Sequence, residues 1–314
     1  MSTNTLSTST PNDSHLASIR QTIANFLRRC GSQYTDVEID KEYYCECCQE
    51  AINRGFPMDG KYSIRAYMEV GVAIAPSYAH LPDHAKMWMC LFTAVVARID
   101  DMVLQGEDIT HVYHFNERFV NCQSQGHPIL NALDVILREI TCFHSPLVSN
   151  FITVAVLNFV SANCLESETK DMQISPKAPF YPEYSRVLSG IPDAFGFFAF
   201  PSMLPIKEYI QCIPDLRIVI NHVNDILSYY KEEIEGDTTN YLSLMAASRT
   251  STKQDALREM IEKTVQAHHN ILECLRPCSE AYDTYVHFFE GYIKFHAALE
   301  RYRMKEIMAE MSSY

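Results

Sequence analysis

The chain has 314 residues, 47% hydrophobic and 21% charged, with a formal charge of −13. That length supports one large core and demands no second domain, and the acidic balance, without a basic patch, excludes a nucleic-acid partner. Its 11 cysteines are scattered and odd in number, as in a reducing compartment, so a cytoplasmic location is expected.

Residues 1–14 are rich in Ser and Thr and lack both a basic n-region and an apolar h-region. They are expected to form a disordered tail and not a signal peptide, leaving 15–314 as one domain. With only 10 glycines and few alternating β-branched runs, that domain is expected to be all-α, with roughly ten helices. Apolar spacing of three and four predicts early amphipathic helices over 18–30 and 40–53, then a turn at Pro57-Met58-Asp59-Gly60. Further helices are predicted over 87–101, 129–143 and 146–165. No stretch approaches the ~18 unbroken apolar residues of a membrane span; 151–160 is the longest candidate and stops at Ser161. Prolines 176, 179 and 182 make 168–182 a loop, and Ser189-Gly190-Ile191-Pro192 breaks the helix that follows. The pairs His111/His114 and His268/His269 are expected on solvated helix faces. Cys45-Glu46-Cys47-Cys48 and Cys274 with Cys278 lack the complementary pairs a zinc finger needs.

Two segments carry chemistry. In Asn224-Asp225-Ile226-Leu227-Ser228-Tyr229-Tyr230-Lys231-Glu232, steps of four keep Asn224, Ser228 and Glu232 on one helix face. That row of hard oxygen donors spans roughly 12 Å and suits Mg²⁺, which shares its shell with water and substrate phosphates. Upstream, an apolar run from Met89 to Ala97 leads into Asp100-Asp101. Adjacent carboxylates at the end of a buried helix are costly to desolvate unless something cationic neutralises them.

Together these segments resemble class I terpene synthases, most closely the fungal trichodiene synthase-like sesquiterpene cyclases. There an aspartate-rich motif and an N-D-x-x-S-x-x-x-E motif face each other across one helical cavity. Tyr181-Pro182-Glu183-Tyr184-Ser185-Arg186-Val187-Leu188-Ser189-Gly190 is similar to the segment bearing the family's diphosphate-sensing arginine. Gly291-Tyr292-Ile293-Lys294-Phe295-His296 and Glu300-Arg301-Tyr302-Arg303 resemble its terminal segment. The resemblance covers residues from about 90 to about 305 and implies a single-domain helical bundle around a central active-site cavity. It implies Asp100, Asn224, Ser228 and Glu232 as metal ligands. Arg186, Lys231, Arg301 and Tyr302 would bind the diphosphate, with Ser189 and Gly190 as linker and effector beside Arg186 in catalysis. One departure stands out: the family's further carboxylate after the first Asp is replaced by Val103 and Leu104, and Glu107 and Asp108 come too late for that turn. This leaves open whether Asp101 substitutes.

The implied reaction is ionisation of an allylic prenyl diphosphate, farnesyl diphosphate first among candidates, with three Mg²⁺ ions and Mn²⁺ as a substitute. The cation would be cyclised or quenched by water to a sesquiterpene or its alcohol. Phe92, Phe195, Phe197, Phe198 and Tyr229 are the expected aromatic lining, and 233–240 the expected lid. Alternatives are an acyclic alcohol synthase that also takes geranyl diphosphate, a chain-elongating prenyltransferase, which would need a second aspartate-rich motif, and a non-catalytic helical protein. A homodimer is left open.

Overall fold

A computed structural model of the chain describes residues 13–32 and 34–309, and among them every regular element is a helix. The expected tail lies outside the described residues up to residue 12, whereas Asp13 and Ser14 already form the first turn of the helix Asp13–Arg29. The second helix, Lys41–Asn53, starts where Asp40 accepts hydrogen bonds from the backbone N–H groups of Glu42 and Tyr43, each 3.0 Å long. Such a side-chain cap satisfies donors that have no partner inside the helix.

The buried residues form one continuous cluster. Its middle is the helix Asp83–Leu104, on which Trp88, Phe92 and Ile99 are almost fully buried. Trp88 stacks on Phe92 and on Phe198, with ring centroids 5.2 and 4.8 Å apart. Burying one such ring contributes ~1.5–3 kcal/mol, so this stack is a principal fixture of the core. The expected helix over 129–143 is the helix Pro128–Arg138, tightened into a 3₁₀ turn over Glu139–Cys142.

The helix Pro146–Thr169 corrects two expectations. It consumes the start of the expected loop at 168. It also contains an 18-residue window of mean hydropathy 1.5, long and apolar enough to cross a membrane by composition, although polar residues interrupt every apolar run. Half of that window is buried inside the protein, where the helix packs against Tyr181–Ser189 and Pro192–Ala199. Pro182 sits in the first turn of Tyr181–Ser189, where a missing N–H costs nothing, so the loop ends earlier than its prolines suggest.

The helix Ile213–Glu235 crosses this group and packs against Pro192–Ala199 and Lys253–Leu275. It stops at Gly236, whose φ of +71° turns the chain in the left-handed region that favours glycine. The helix Ser279–Ala298 closes the body against the 3₁₀ turn Ala75–Tyr78. His268 departs from expectation. It is buried, and its Nδ1 lies 2.7 Å from the Tyr285 hydroxyl; only its neighbour His269 is exposed.

Candidate active site

The ends of Asp83–Leu104, Pro146–Thr169, Tyr181–Ser189 and Ile213–Glu235 converge on a cavity of about 420 Å³. Asp100, Arg186, Ser189, Gly190, Asn224, Glu232, Arg301 and Tyr302 all line it. Residues 200 positions apart in sequence thus share one space.

The two adjacent aspartates part company. Asp100 faces the cavity, whereas Asp101 accepts a 2.8 Å hydrogen bond from the Tyr67 hydroxyl. Successive helical residues point about 100° apart, so only one of the pair can face inward. Burial pushes the Asp100 carboxyl up to about 7, with the negative charges of Glu166 and Asp101 adding to it and Arg186 and Arg301 opposing. Glu166 also lines the cavity; burial raises its carboxyl as well, with Ser189 and Arg186 opposing the shift. Sequence reasoning passed over Glu166, although Phe159, Asn163 and Glu166 follow a helical i, i+4, i+7 row and Phe159 lines the same cavity. The late acids serve elsewhere: Glu107 pairs with buried Arg98, with oxygens 2.7 and 3.0 Å from Nη2, and Asp108 caps Thr110.

On the opposite wall, Asn224 and Glu232 face the cavity, and Ser228 and Lys231 stand behind them. The Ser228 hydroxyl donates to the Asp225 backbone carbonyl at 3.4 Å, and the Lys231 Nζ lies 3.3 Å from Glu232 Oε1. Burial raises the Glu232 carboxyl, and Ser228 and Lys231 oppose the shift. Asn224 Nδ2 donates to the Tyr302 hydroxyl at 3.1 Å and lies 3.3 Å from His296 Nε2. This clamp joins the row of four to the terminal Arg-Tyr pair. Arg301 lies over the Tyr302 ring, 5.6 Å from its centroid.

Arg186 is anchored before any ligand arrives. Its Nε donates to both Asp225 oxygens at 3.0 Å, and its Nη2 lies 2.9 Å from Oδ1. Burial works against the guanidinium charge, but Asp225 beside it holds the proton more firmly than usual. The helix breaks where expected, between Ser189 and Pro192. The unusual residue there is Ile191, with φ of +49°, whereas Gly190 has an ordinary φ of −78°. Glycine leaves space at 190: a Cβ there would lie 2.4 Å from Arg186 Nη1 and 2.1 Å from Asn221 Oδ1, so those side-chain ends would have to shift.

Of the five aromatics expected to line the cavity, only Phe195 does, joined by Phe159, Tyr292, Phe295 and Tyr241. Phe92 and Phe198 belong to the Trp88 stack, Phe197 stacks on Phe151 at 4.9 Å, and Tyr229 is buried elsewhere. Nearness in sequence to a motif does not fix which face of a helix a ring occupies. The expected lid is also shorter than 233–240. Glu233 remains helical and is tied to Lys253 and His15 at 2.7 and 3.1 Å, leaving 236–240 as the loop, of which Asp237, Thr239 and Asn240 line the cavity. Among the described residues no group of three or more His, Cys, Asp and Glu is arranged to hold a metal.

Opposed carboxylates, an oxygen-donor row and a pair of arginines in a chamber that also carries aromatic and aliphatic side chains can hold a polyanionic head and an apolar tail. An all-helical fold around such a chamber is that of a class I terpene synthase. The chain belongs to the trichodiene synthase (TRI5) family, which it matches over residues 33–313. It is 35% identical over 293 residues to alpha-cuprenene synthase COP6 of Coprinopsis cinerea, covering 92% of this chain and 90% of that one. Terpene synthase BipA of Cochliobolus sativus is 34% identical over 263 residues, 81% of this chain and 79% of the relative. In fold, it is similar to linalool/nerolidol synthase from Streptomyces clavuligerus, with a TM-score of 0.62 at 11% identity, over 83% of this chain and 96% of that one.

Proposed function

We propose that this terpene synthase ionises farnesyl diphosphate and cyclises the cation, or quenches it with water, to a sesquiterpene hydrocarbon or alcohol. The supporting observation is that a single cavity is lined by Asp100, Asn224 and Glu232, by Arg186, Arg301 and Tyr302, and by Phe159, Phe195 and Phe295. Its volume, about 420 Å³, falls in the range of ~300–1,000 Å³ typical of small-molecule sites.

The donor set fits Mg²⁺. All its members are hard oxygens, and the carboxyls of Asp100 and Glu232 are pushed up when no cation neutralises them. Asp100 on one wall, and Asn224, Ser228 and Glu232 on the other, would hold the ions, three in this reading, with Mn²⁺ able to replace them. Bound divalent cations supply charge that stabilises the departing pyrophosphate.

The chain's own residues do the rest. Arg186 and Arg301 present guanidinium forks to diphosphate oxygens, Tyr302 adds a hydroxyl held by Asn224, and Lys231 adds charge from behind Glu232. Fixed charge aimed at the leaving group lowers the barrier to breaking the allylic C–O bond, whose electron pair leaves with pyrophosphate. Phe159, Phe195, Tyr292 and Phe295 exclude water and offer the negative faces of their rings to the cation. The 11 free cysteines fit a cytoplasmic enzyme.

The test is incubation with geranyl, farnesyl and geranylgeranyl diphosphates plus Mg²⁺, read by gas chromatography with mass detection. A C15 product from farnesyl diphosphate is expected. Turnover of geranyl diphosphate alone, or condensation to longer diphosphates, would overturn the substrate assignment.

A further inference from the structure

The helix Asp83–Leu104 turns Thr93, Val96, Ala97, Asp100 and Leu104 to the cavity, a set spaced by three and four. Thr93 is the one polar residue in the apolar run from Met89 to Ala97 and is only 5% exposed. It stands seven residues before Asp100, which on a helix is the same face about 10 Å along the axis. Its surroundings there are apolar. Val96 and Ala97 follow it on the helix face, and the cavity residue Phe195 has its ring centroid 5.7 Å from that of Phe92. The Thr93 hydroxyl is buried and has no hydrogen-bond partner among the described residues. A threonine inside a helix ordinarily bonds back to the carbonyl one turn earlier. Thr22, Thr169 and Thr264 do so, to the carbonyls of Ser18, Leu165 and Met260 at 2.7, 2.7 and 2.6 Å. Asn221 Oδ1 and Asn240 Nδ2 also lack partners on the cavity wall, but both stand among polar groups: Asn221 Nδ2 donates to the Arg186 carbonyl at 3.5 Å, and Asn240 ends the loop 236–240. A buried hydroxyl without a partner costs stability that a valine of the same shape would not. Packing therefore gives no reason for threonine at 93.

We propose that Thr93 is a specificity-determining residue, whose hydroxyl dipole fixes where positive charge rests on the hydrocarbon during cyclisation. The proposal deepens the reading of this cavity as the place where an allylic diphosphate ionises, and rests on it. With the head group held near Asp100, carbons well along the chain lie against Thr93. A rotamer step that donates the hydroxyl proton to the helix carbonyl one turn back leaves the oxygen lone pairs to face a cation. In water such a dipole would count for little. Beside Phe159, Phe195 and Phe295 the local dielectric is low and screening is weak. The hydroxyl forms no bond to the substrate and takes up no proton. It lowers the energy of those cations whose charge lies beside it, and the products that descend from them form at the expense of the others.

The experiment reads the ratio of products, which does not depend on how fast they form. Wild-type protein, Thr93→Val, Thr93→Ser and a control, Thr264→Val, are each incubated with farnesyl diphosphate and Mg²⁺, and products are separated by gas chromatography with mass detection. Melting temperatures are recorded without ligand. Thr93→Val keeps the shape and removes the hydroxyl, so the ratio of the main product to the other C15 products should change by about fivefold or more. Its melting temperature should stay at or above that of wild type, because an unpartnered hydroxyl is lost. Thr93→Ser keeps the hydroxyl and should keep the wild-type ratio. Thr264 lies outside the cavity, bonded to Met260 and His222, so Thr264→Val should melt lower with the ratio unchanged. An unchanged ratio in Thr93→Val overturns the proposal. So does an equal shift in Thr93→Ser, which would assign the effect to the methyl group, or in Thr264→Val, which would assign it to lost stability. A lower melting temperature for Thr93→Val also overturns it, since the hydroxyl would then have a structural partner. Loss of every product at an unchanged melting temperature does the same, because a residue that only steers charge is not needed for ionisation. If wild-type protein itself forms no C15 product, the reading of the cavity fails and not the role of Thr93 alone.

Discussion

Asp100 and Asp101 show how one bond of sequence separates a cavity-facing group from one tied into the fold. Only Asp100 reaches the cavity, while Asp101 is occupied by Tyr67. Asp100→Asn should lower kcat/KM by ~10²-fold or more, the scale on which losing one aimed electrostatic group acts. Asp101→Asn should cost less than tenfold, and steady-state kinetics of the pair with farnesyl diphosphate checks this. Comparable losses would mean that Asp101 swings inward in the liganded enzyme. On the other wall, Glu232→Gln and Asn224→Ala should each reduce turnover by ~10²-fold or more while circular dichroism stays helical. Full turnover of either variant, or of wild-type protein in EDTA, would sink the metal assignment. Gly190→Ala tests the close approach of Arg186 and Asn221. Overpacking there costs ~1–3 kcal/mol, so both melting temperature and kcat should fall. An unchanged kcat would show that the Arg186 side chain yields without functional loss.

At the scale of elements, the break between Tyr181–Ser189 and Pro192–Ala199 sets Arg186 beside Asp225, and the loop 236–240 follows the last turn of the same helix that carries Asp225. Arg186→Lys keeps a charge but loses the planar fork, so kcat should fall more than affinity for pyrophosphate. If Arg186 couples diphosphate binding to closure, Mg²⁺ and pyrophosphate should protect 236–240 from hydrogen exchange in wild-type protein and much less in the variant. Equal protection, read by exchange mass spectrometry, would make Arg186 a simple anion contact. The helices themselves were legible because their apolar spacing is strong, and the row Asn224, Ser228 and Glu232 was legible because a period of four names a face. Sequence periodicity states which residues share a face; it does not state what that face meets. For that reason Phe92 and Phe198 were assigned to the cavity when they belong to the Trp88 stack, and Glu166 was missed although it lies in a helical row with Phe159. The positive φ of Ile191 was equally hidden, since a β-branched residue gives no local signal for that conformation.

Over the whole molecule, the core carries histidines that burial keeps neutral. His268, against Tyr285, is pushed down to about 4 from an ordinary value of 6.5. The unfolded chain therefore takes up a proton there below about pH 6.5 that the folded chain refuses until about 4. Its contribution to stability is complete above 6.5 and is lost as pH falls through that window. At pH 7.5, His268→Gln should be less stable by ~1 kcal/mol for the altered hydrogen bond. By pH 5 the gap should narrow, since only wild type loses the histidine's contribution, and shifts of the cavity acids cancel between the two proteins. Urea denaturation at both pH values measures it. A gap that stays constant would show that His268 is protonated in the fold.

The contact between Arg186 and Asp225 has a consequence for selectivity. With that guanidinium already bound to an internal anion, ligand capture is an ion exchange, and an incoming group must displace a carboxylate that the fold holds in place at no entropic cost. A phosphate monoester, with a charge of about −1.5 to −2 at pH 7, brings less charge to that exchange. A diphosphate, polyvalent and escorted by cations of its own, brings enough to move Arg186 or to share it. The internal pair therefore sets a threshold, and the reactive machinery answers to the valence of the head group before the chamber has read anything of the hydrocarbon tail.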